Sequence, residues 1–212
     1  MLNNKTEPRW PALLALLAVG GLYSALPTSL LVGGQKWLLL ALIVVLMIPS
    51  VISHRTGKHL FNQVLGYLLN SVVTMAMIAS LVLLIKALPS HIENSEQLLR
   101  SAAGLWLSNI LVFASWYWRL DAGGPYKRDI RLGHTEGAFL FPQMTMNQGG
   151  KKVQKWSPNF IDYLFLAFNT STAFSPTDVP VLSRWAKILM MTQAIISLLV
   201  IALLAGRAVN IL

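Results

Sequence analysis

Cysteine is absent from the 212 residues, which excludes disulfide frameworks, thiolate metal sites and cysteine nucleophiles. Charge is scarce: 12% of residues are Asp, Glu, Lys or Arg, against about 25% in a soluble domain. Only 8 residues are acidic. No Gly-rich phosphate loop, Ser-His-Asp arrangement or helically spaced carboxylate pair appears. Catalysis has little to stand on, so neither an enzymatic activity nor a cofactor is expected. No internal repeat is evident.

What the chain has in quantity is apolar surface, with 55% hydrophobic residues gathered into long runs. About 20 apolar residues cross a bilayer as a helix. Trp10 to Pro27, Trp37 to Ser53, Val64 to Leu88, Ala102 to Trp118 and Arg184 to about Ala208 meet that requirement. The expected fold is therefore all-α: a multi-pass transmembrane bundle of five spanning helices plus a short half-helix and turn, or six spans if that segment crosses. Residues 1–119 form a four-helix transmembrane region with short connections, including Gly33-Gly34. Residues 120–157 form a turn-rich basic loop, within which GAFLFP is expected beside the headgroups. Residues 158–212 carry the half-helix, a polar turn and the final transmembrane helix. Trp116, Tyr117 and Trp118, just before Arg119, have the composition of an interfacial aromatic belt.

The formal charge of +9 suggests nucleic acid or an anionic membrane as partner. Position favours the bilayer over nucleic acid, because the basic residues lie between apolar runs. Counting by loop parity puts 12 of 17 Lys and Arg on the side of Lys5, Arg55, Lys58 and the long loop. If residues 158–178 re-enter rather than cross, Arg184 and Lys187 join that side, Arg207 leaves it, and the count becomes 13 against 4. Either way the bias predicts a plasma-membrane protein with its N-terminus and long loop in the cytoplasm.

Ser157 and Pro158 read as an N-cap and first helical residue, with Asp162 in the opening turn of a helix that stops before Pro176. The stretch FNTSTAFSPTDVP ends that helix. Asn169, Thr170, Thr172, Ser175, Thr177 and Asp178 are the candidates to line a pore or cavity. Irregular backbone at membrane depth is tolerated only where protein or water covers it. Asp162 could pair with Arg207.

This C-terminal part resembles the pore module of two-helix tetrameric cation channels: short helix, hydroxyl-rich turn, aspartate, long helix. Aligned on Asp178, Thr170 and Thr172 fall on pore-helix threonines. Ala173 and Phe174 fall on the filter threonine and valine, and Ser175, Pro176 and Thr177 on its glycine, tyrosine and glycine. The filter glycines are thus absent, and a pore loop of that type enters from outside rather than after a basic loop. The chain as a whole, through WYWRLDAGGP, FLFPQM and YLFLAFNTSTAFSPTD, is similar to a bacterial family of uncharacterised multi-pass inner-membrane proteins. The resemblances imply ion or small-solute permeation through a polar cavity near residues 169–178. The alternative is a non-transporting assembly or structural protein.

His54, His59, His91 and His134 are scattered over loops without metal-helix spacing, and interfacial solvation is their expected role. Met144 and Met146 read as gap-fillers. Asn70 with Thr74, Ser108 with Asn109, and Gln193 with Ser197 are expected to hydrogen-bond between helices or to line a polar path. Ala202 and Gly206 give small-xxx-small spacing, predicting close helix contact, internal or within a homo-oligomer.

Overall fold

The computed structural model describes residues 7–87, 95–131, 134, 136–145, 156–175 and 178–209, and of 54, 55, 95 and 207–209 the backbone only. Thr177, His91 and Met146, and the side chains of His54 and Arg207, therefore lie outside the described residues.

The described chain is all-helical, with α1 (Trp10–Ser24), α2 (Leu38–Arg55), α3 (His59–Ala87), α4 (Ser95–Leu120), α5 (Pro125–Asp129), α6 (Pro142–Thr145), α7 (Phe160–Thr172) and α8 (Arg184–Val209). Three helices are long and apolar enough to cross a membrane: His59–Ala87, Glu96–Gly123 and Arg184–Gly206. Two shorter apolar helices, Trp10–Ser24 and Leu38–Ser53, complete the bundle. The first expected span thus ends at Ser24 rather than Pro27. The third and fourth begin earlier, at His59 and Ser95, because backbone hydrogen bonding continues through polar residues that end a hydropathy run.

Helices α1 to α4 run up and down. The N-terminal segment, the α2–α3 turn and the C-terminal end of α4 gather at one end, here the loop end. Arg9 pairs with Asp129 after α4, and His59 stacks on Tyr126. Because these helices are apolar on nearly every face, polarity alone does not choose the buried stripe. Packing does: α3 turns Gly66, Asn70, Val73, Met77, Ser80 and Leu84 inward, while Val64, Met75 and Val82 stay exposed. Gly66, Asn70 and Ser80 thus share the interior with large apolar residues while others of that kind face outward, which suits helices packed within lipid.

The expected belt is instead core. Tyr117 and Trp118 are buried, and half-buried Trp116 donates its indole N–H to Thr74 Oγ1 at 2.9 Å. GAFLFP likewise leaves the interface: Phe139 and Phe141 are buried, and Phe139 packs on Tyr117, Tyr163 and Trp185. The loop folds back over the end of α4, supplying apolar cover that a hydropathy reading assigns to headgroups.

The decisive geometry lies in the C-terminal third. Helix α7 starts at the loop end, where Tyr163 meets Asp121, and at 13 residues reaches about 20 Å. Yet α8 also starts there. Residues Phe139 and Val181 form an antiparallel bridge, closed by Leu140 N–H to Pro180 O at 2.9 Å and Leu182 N–H to Ala138 O at 2.8 Å. The chain therefore returns to the loop end after α7, and α7 and α8 run parallel, both antiparallel to α4. Gln193 of α8 reaching Ala167 and Ser171 of α7 fixes the same direction at mid-helix.

Candidate functional site

At the loop end, Asp121 follows α4 directly, where a turn with positive φ at Ala122, Gly123 and Gly124 reverses the chain. Its carboxylate is fully buried. Oδ1 accepts from the Ala138 amide at 2.5 Å and Oδ2 from the Tyr163 hydroxyl at 2.6 Å. His134 Nε2 lies 3.4 Å from Oδ2, at ion-pair distance without hydrogen-bond alignment. Gly137 permits this approach, since a Cβ there would stand 2.8 Å from both Oδ1 and His134 Nε2. His134, expected in interfacial water, is buried edge-on between Phe141 and Trp156. The same aromatic ring that shields it closes the loop onto the bundle.

Arg128 completes this end. One nitrogen donates to the carbonyls of Trp118 at 2.8 Å and Asp121 at 2.9 Å, so the guanidinium caps the C-terminus of α4 where its dipole favours a cation. The other reaches Glu7 at 3.0 Å, and the group sits over the Tyr163 ring. Glu7 also accepts from the Trp118 indole. Burial holds the Glu7 carboxyl above its ordinary value, outweighing the opposing pull of Arg128 and Trp118. The N-terminal segment, α4, α5 and α7 are thereby pinned by one buried cation.

A second polar cluster lies at mid-helix. Gln193, wholly buried, accepts from the Tyr117 hydroxyl at 2.5 Å and donates to Ala167 O at 2.7 Å and Ser171 Oγ at 2.8 Å. Asn109 donates to Ser197 Oγ at 2.8 Å and Gln193 O at 3.2 Å. Ser115 donates to Asn70 Oδ1 at 2.9 Å. Of the pairs singled out in the sequence, these bond helix to helix, whereas Ser108 only back-bonds to Gly104 O of its own helix.

The described candidates for the pore lining sit in differing surroundings. Thr170 is buried and donates to Leu166 O, while Thr172 is exposed and donates to Phe168 O. Asn169 is half-buried, and Ser175 and Asp178 are exposed on the return limb. A groove of about 730 Å³ between α1, α4 and α7 is apolar, lined by residues such as Leu22, Leu107 and Phe168, and includes none of them. Short polar side chains at the end of a helix satisfy themselves on the preceding turn, so hydroxyl content alone does not mark a cavity. Phe174 carries φ 55°, a left-handed conformation costing a non-glycine residue roughly 1 kcal/mol.

One further expectation changes. The N-cap of α7 is Asn159, not Ser157: its side chain accepts from Ile161 N–H, and Asp162 accepts from Asn159 N–H, a reciprocal capping box. The Asp162–Arg207 pair involves a side chain outside the described residues. Asp162 caps α7 at the loop end, whereas α8 carries the backbone of residue 207 about 34 Å along its axis from Arg184.

Glu7, Asp121 and Arg128 were not singled out from the sequence. Asp121 carries a signal, a lone acid directly after WYWRL, but its partners lie 13 to 42 residues away. No known protein family, curated protein or solved structure matches the chain.

Proposed function

We propose that the protein is a multi-pass inner-membrane protein in which α1, α2, α3, α4 and α8 cross the bilayer and α7 with its return limb re-enters it. On this reading the loop end is cytoplasmic. The carrying observation is the parallel course of α7 and α8, joined by the limb that pairs Val181 with Phe139. That course places Arg184 and Lys187 beside the basic loop, which supports the 13-to-4 charge distribution.

The same arrangement supports permeation of an ion or small solute. A half-helix ending at membrane depth, followed by strained irregular backbone, is the device by which pores and transporters offer dipole ends and backbone groups to a solute. Thr172, Ser175 and Asp178 lie on the outer flank of the subunit, so the path runs between copies of the chain. Asn169 adjoins it, and Thr170 supports the turn from inside. The exposed Ala202 and Gly206 permit close packing of α8 against a second copy.

Protein reconstituted in liposomes tests this reading through ion flux, which Asp178→Ala and Thr172→Ala are expected to reduce. Flux that is absent, or indifferent to both substitutions, refutes it. A non-transporting assembly role then stands. The Gln193 amide favours that second reading, because its oxygen and nitrogen are already committed to Tyr117, Ala167 and Ser171.

A further inference from the structure

A guanidinium stays charged at any physiological pH, so burying one without an acceptor is costly, and buried charges are normally paired. Arg119 departs from that rule. It is 6% exposed, its Nε has no hydrogen-bond partner, and no carboxylate lies within ion-pair distance among the described residues. Around it stand the Trp118 ring, 5.3 Å from Cζ, the bare backbone of α3 at Gly66, and the neutral phenol of Tyr67. A Cβ at Gly66 would stand 1.7 Å from Nη1, so glycine is what admits the guanidinium here. The seat is built, and it holds an uncompensated cation.

That cation lines a cavity of about 110 Å³, several times the ~30 Å³ share of one water. Arg9, Lys127, His59, Gln63 and Tyr126 also line it, and no carboxylate does. Arg9 commits one arm to Asp129 at 2.6 Å, whereas Lys127 is exposed at the rim. His59 opens α3, so the positive end of a 29-residue helix dipole adds to the same space. Exposed Leu60 borders the opening, giving the cationic mouth an apolar margin at the level where helices meet headgroups.

We propose that this cavity binds a tetrahedral phosphate oxyanion, carried by an anionic phospholipid headgroup or free in the cytoplasm. Arg119 supplies the buried charge and planar donors, Lys127 the rim charge, and Gln63, whose amide also donates to the Tyr67 hydroxyl at 2.7 Å, its second N–H. The site does not depend on whether anything permeates.

Thermal unfolding of the full chain in neutral detergent, with inorganic phosphate or phosphatidylglycerol added, tests it. Wild-type protein is stabilised saturably. A shift with inorganic phosphate identifies the free anion as sufficient, and a shift with phosphatidylglycerol alone identifies the headgroup. Arg119→Met, similar in volume, is at least as stable as wild type without either probe and gains nothing from them, because it lacks the uncompensated charge. Lys127→Gln raises the apparent Kd about tenfold, as expected for one charge-assisted hydrogen bond. If neither probe stabilises wild type, or Arg119→Met responds equally, the site is overturned. Should Arg119→Met not fold, Lys127→Gln decides alone: an unchanged apparent Kd overturns it.

Discussion

The return of the chain between α7 and α8 can be tested by one covalent bond. Phe139 and Val181 are the facing residues of an antiparallel bridge, flanked on both sides by the hydrogen bonds of Leu140 and Leu182. Such a pair has Cα atoms about 4.5 Å apart, at the near edge of the 4.4–6.8 Å range spanned by disulfides. Phe139→Cys with Val181→Cys, in a chain that has no other cysteine, should therefore oxidise within the molecule. Removing the fully buried Phe139 ring costs about 3 kcal/mol, and closing a loop of roughly 40 residues contributes about 4 kcal/mol. The reduced variant is thus destabilised and oxidation restores it close to wild type. Gel mobility with and without reductant, and mass spectrometry of the bridged peptides, read the bond directly. In the six-pass arrangement the two positions face opposite sides of a hydrocarbon layer about 30 Å thick. A pair that stays reduced, with each cysteine labelled only from opposite sides of the membrane, refutes the parallel course of α7 and α8.

Two further outcomes are expected. Gln193→Leu removes three helix-linking hydrogen bonds, each worth ~0.6 kcal/mol on average in a membrane protein, so unfolding in mixed micelles should show a loss of roughly 2 kcal/mol; a loss below that of the single-bond variant Ser115→Ala contradicts the role given to this cluster. Because Glu7 has its folded pKa raised above the ordinary 4.5, its neutral form is favoured, and the stability it contributes is full below 4.5 and lost as pH rises through the folded value. The stability of wild type relative to Glu7→Gln should therefore increase as pH is lowered from neutral towards 4.5, and melting curves showing the opposite slope refute that assignment.

Much of the fold was legible because membrane helices announce themselves in one dimension: runs of apolar residues marked α1 to α4 and α8, and proline with polar residues marked the shortness of α7. The facing of those helices was not legible, since a helix apolar all round has no hydrophobic stripe. Here the sparse polar residues were the better guide. Asn70, Asn109, Gln193 and Ser197 were visible as unusual at membrane depth, and all four turn inward and bond across helices. The aromatic residues misled, because a tryptophan that sits in an interfacial belt and one buried under a returning loop have the same local sequence. Asp121 and Arg128 were missed for a related reason: their partners Ala138, Tyr163 and Glu7 stand 17, 42 and 121 residues away, and nothing local marks such a meeting.

By itself, the sequence determined the all-helical class, the apolar lengths that suit a bilayer, the side of the molecule that collects positive charge and the freedom from thiol chemistry. These depend on composition and on contacts within a few residues. Tertiary structure decided that α7 and α8 run parallel, that GAFLFP packs onto the bundle beside the buried Asp121 rather than resting at the headgroups, and that Arg119, seated against Gly66, lines a cavity with Arg9 and Lys127. Each of those is a matter of which distant segments share a small volume, where desolvation makes an unpaired polar group costly and so fixes the partner.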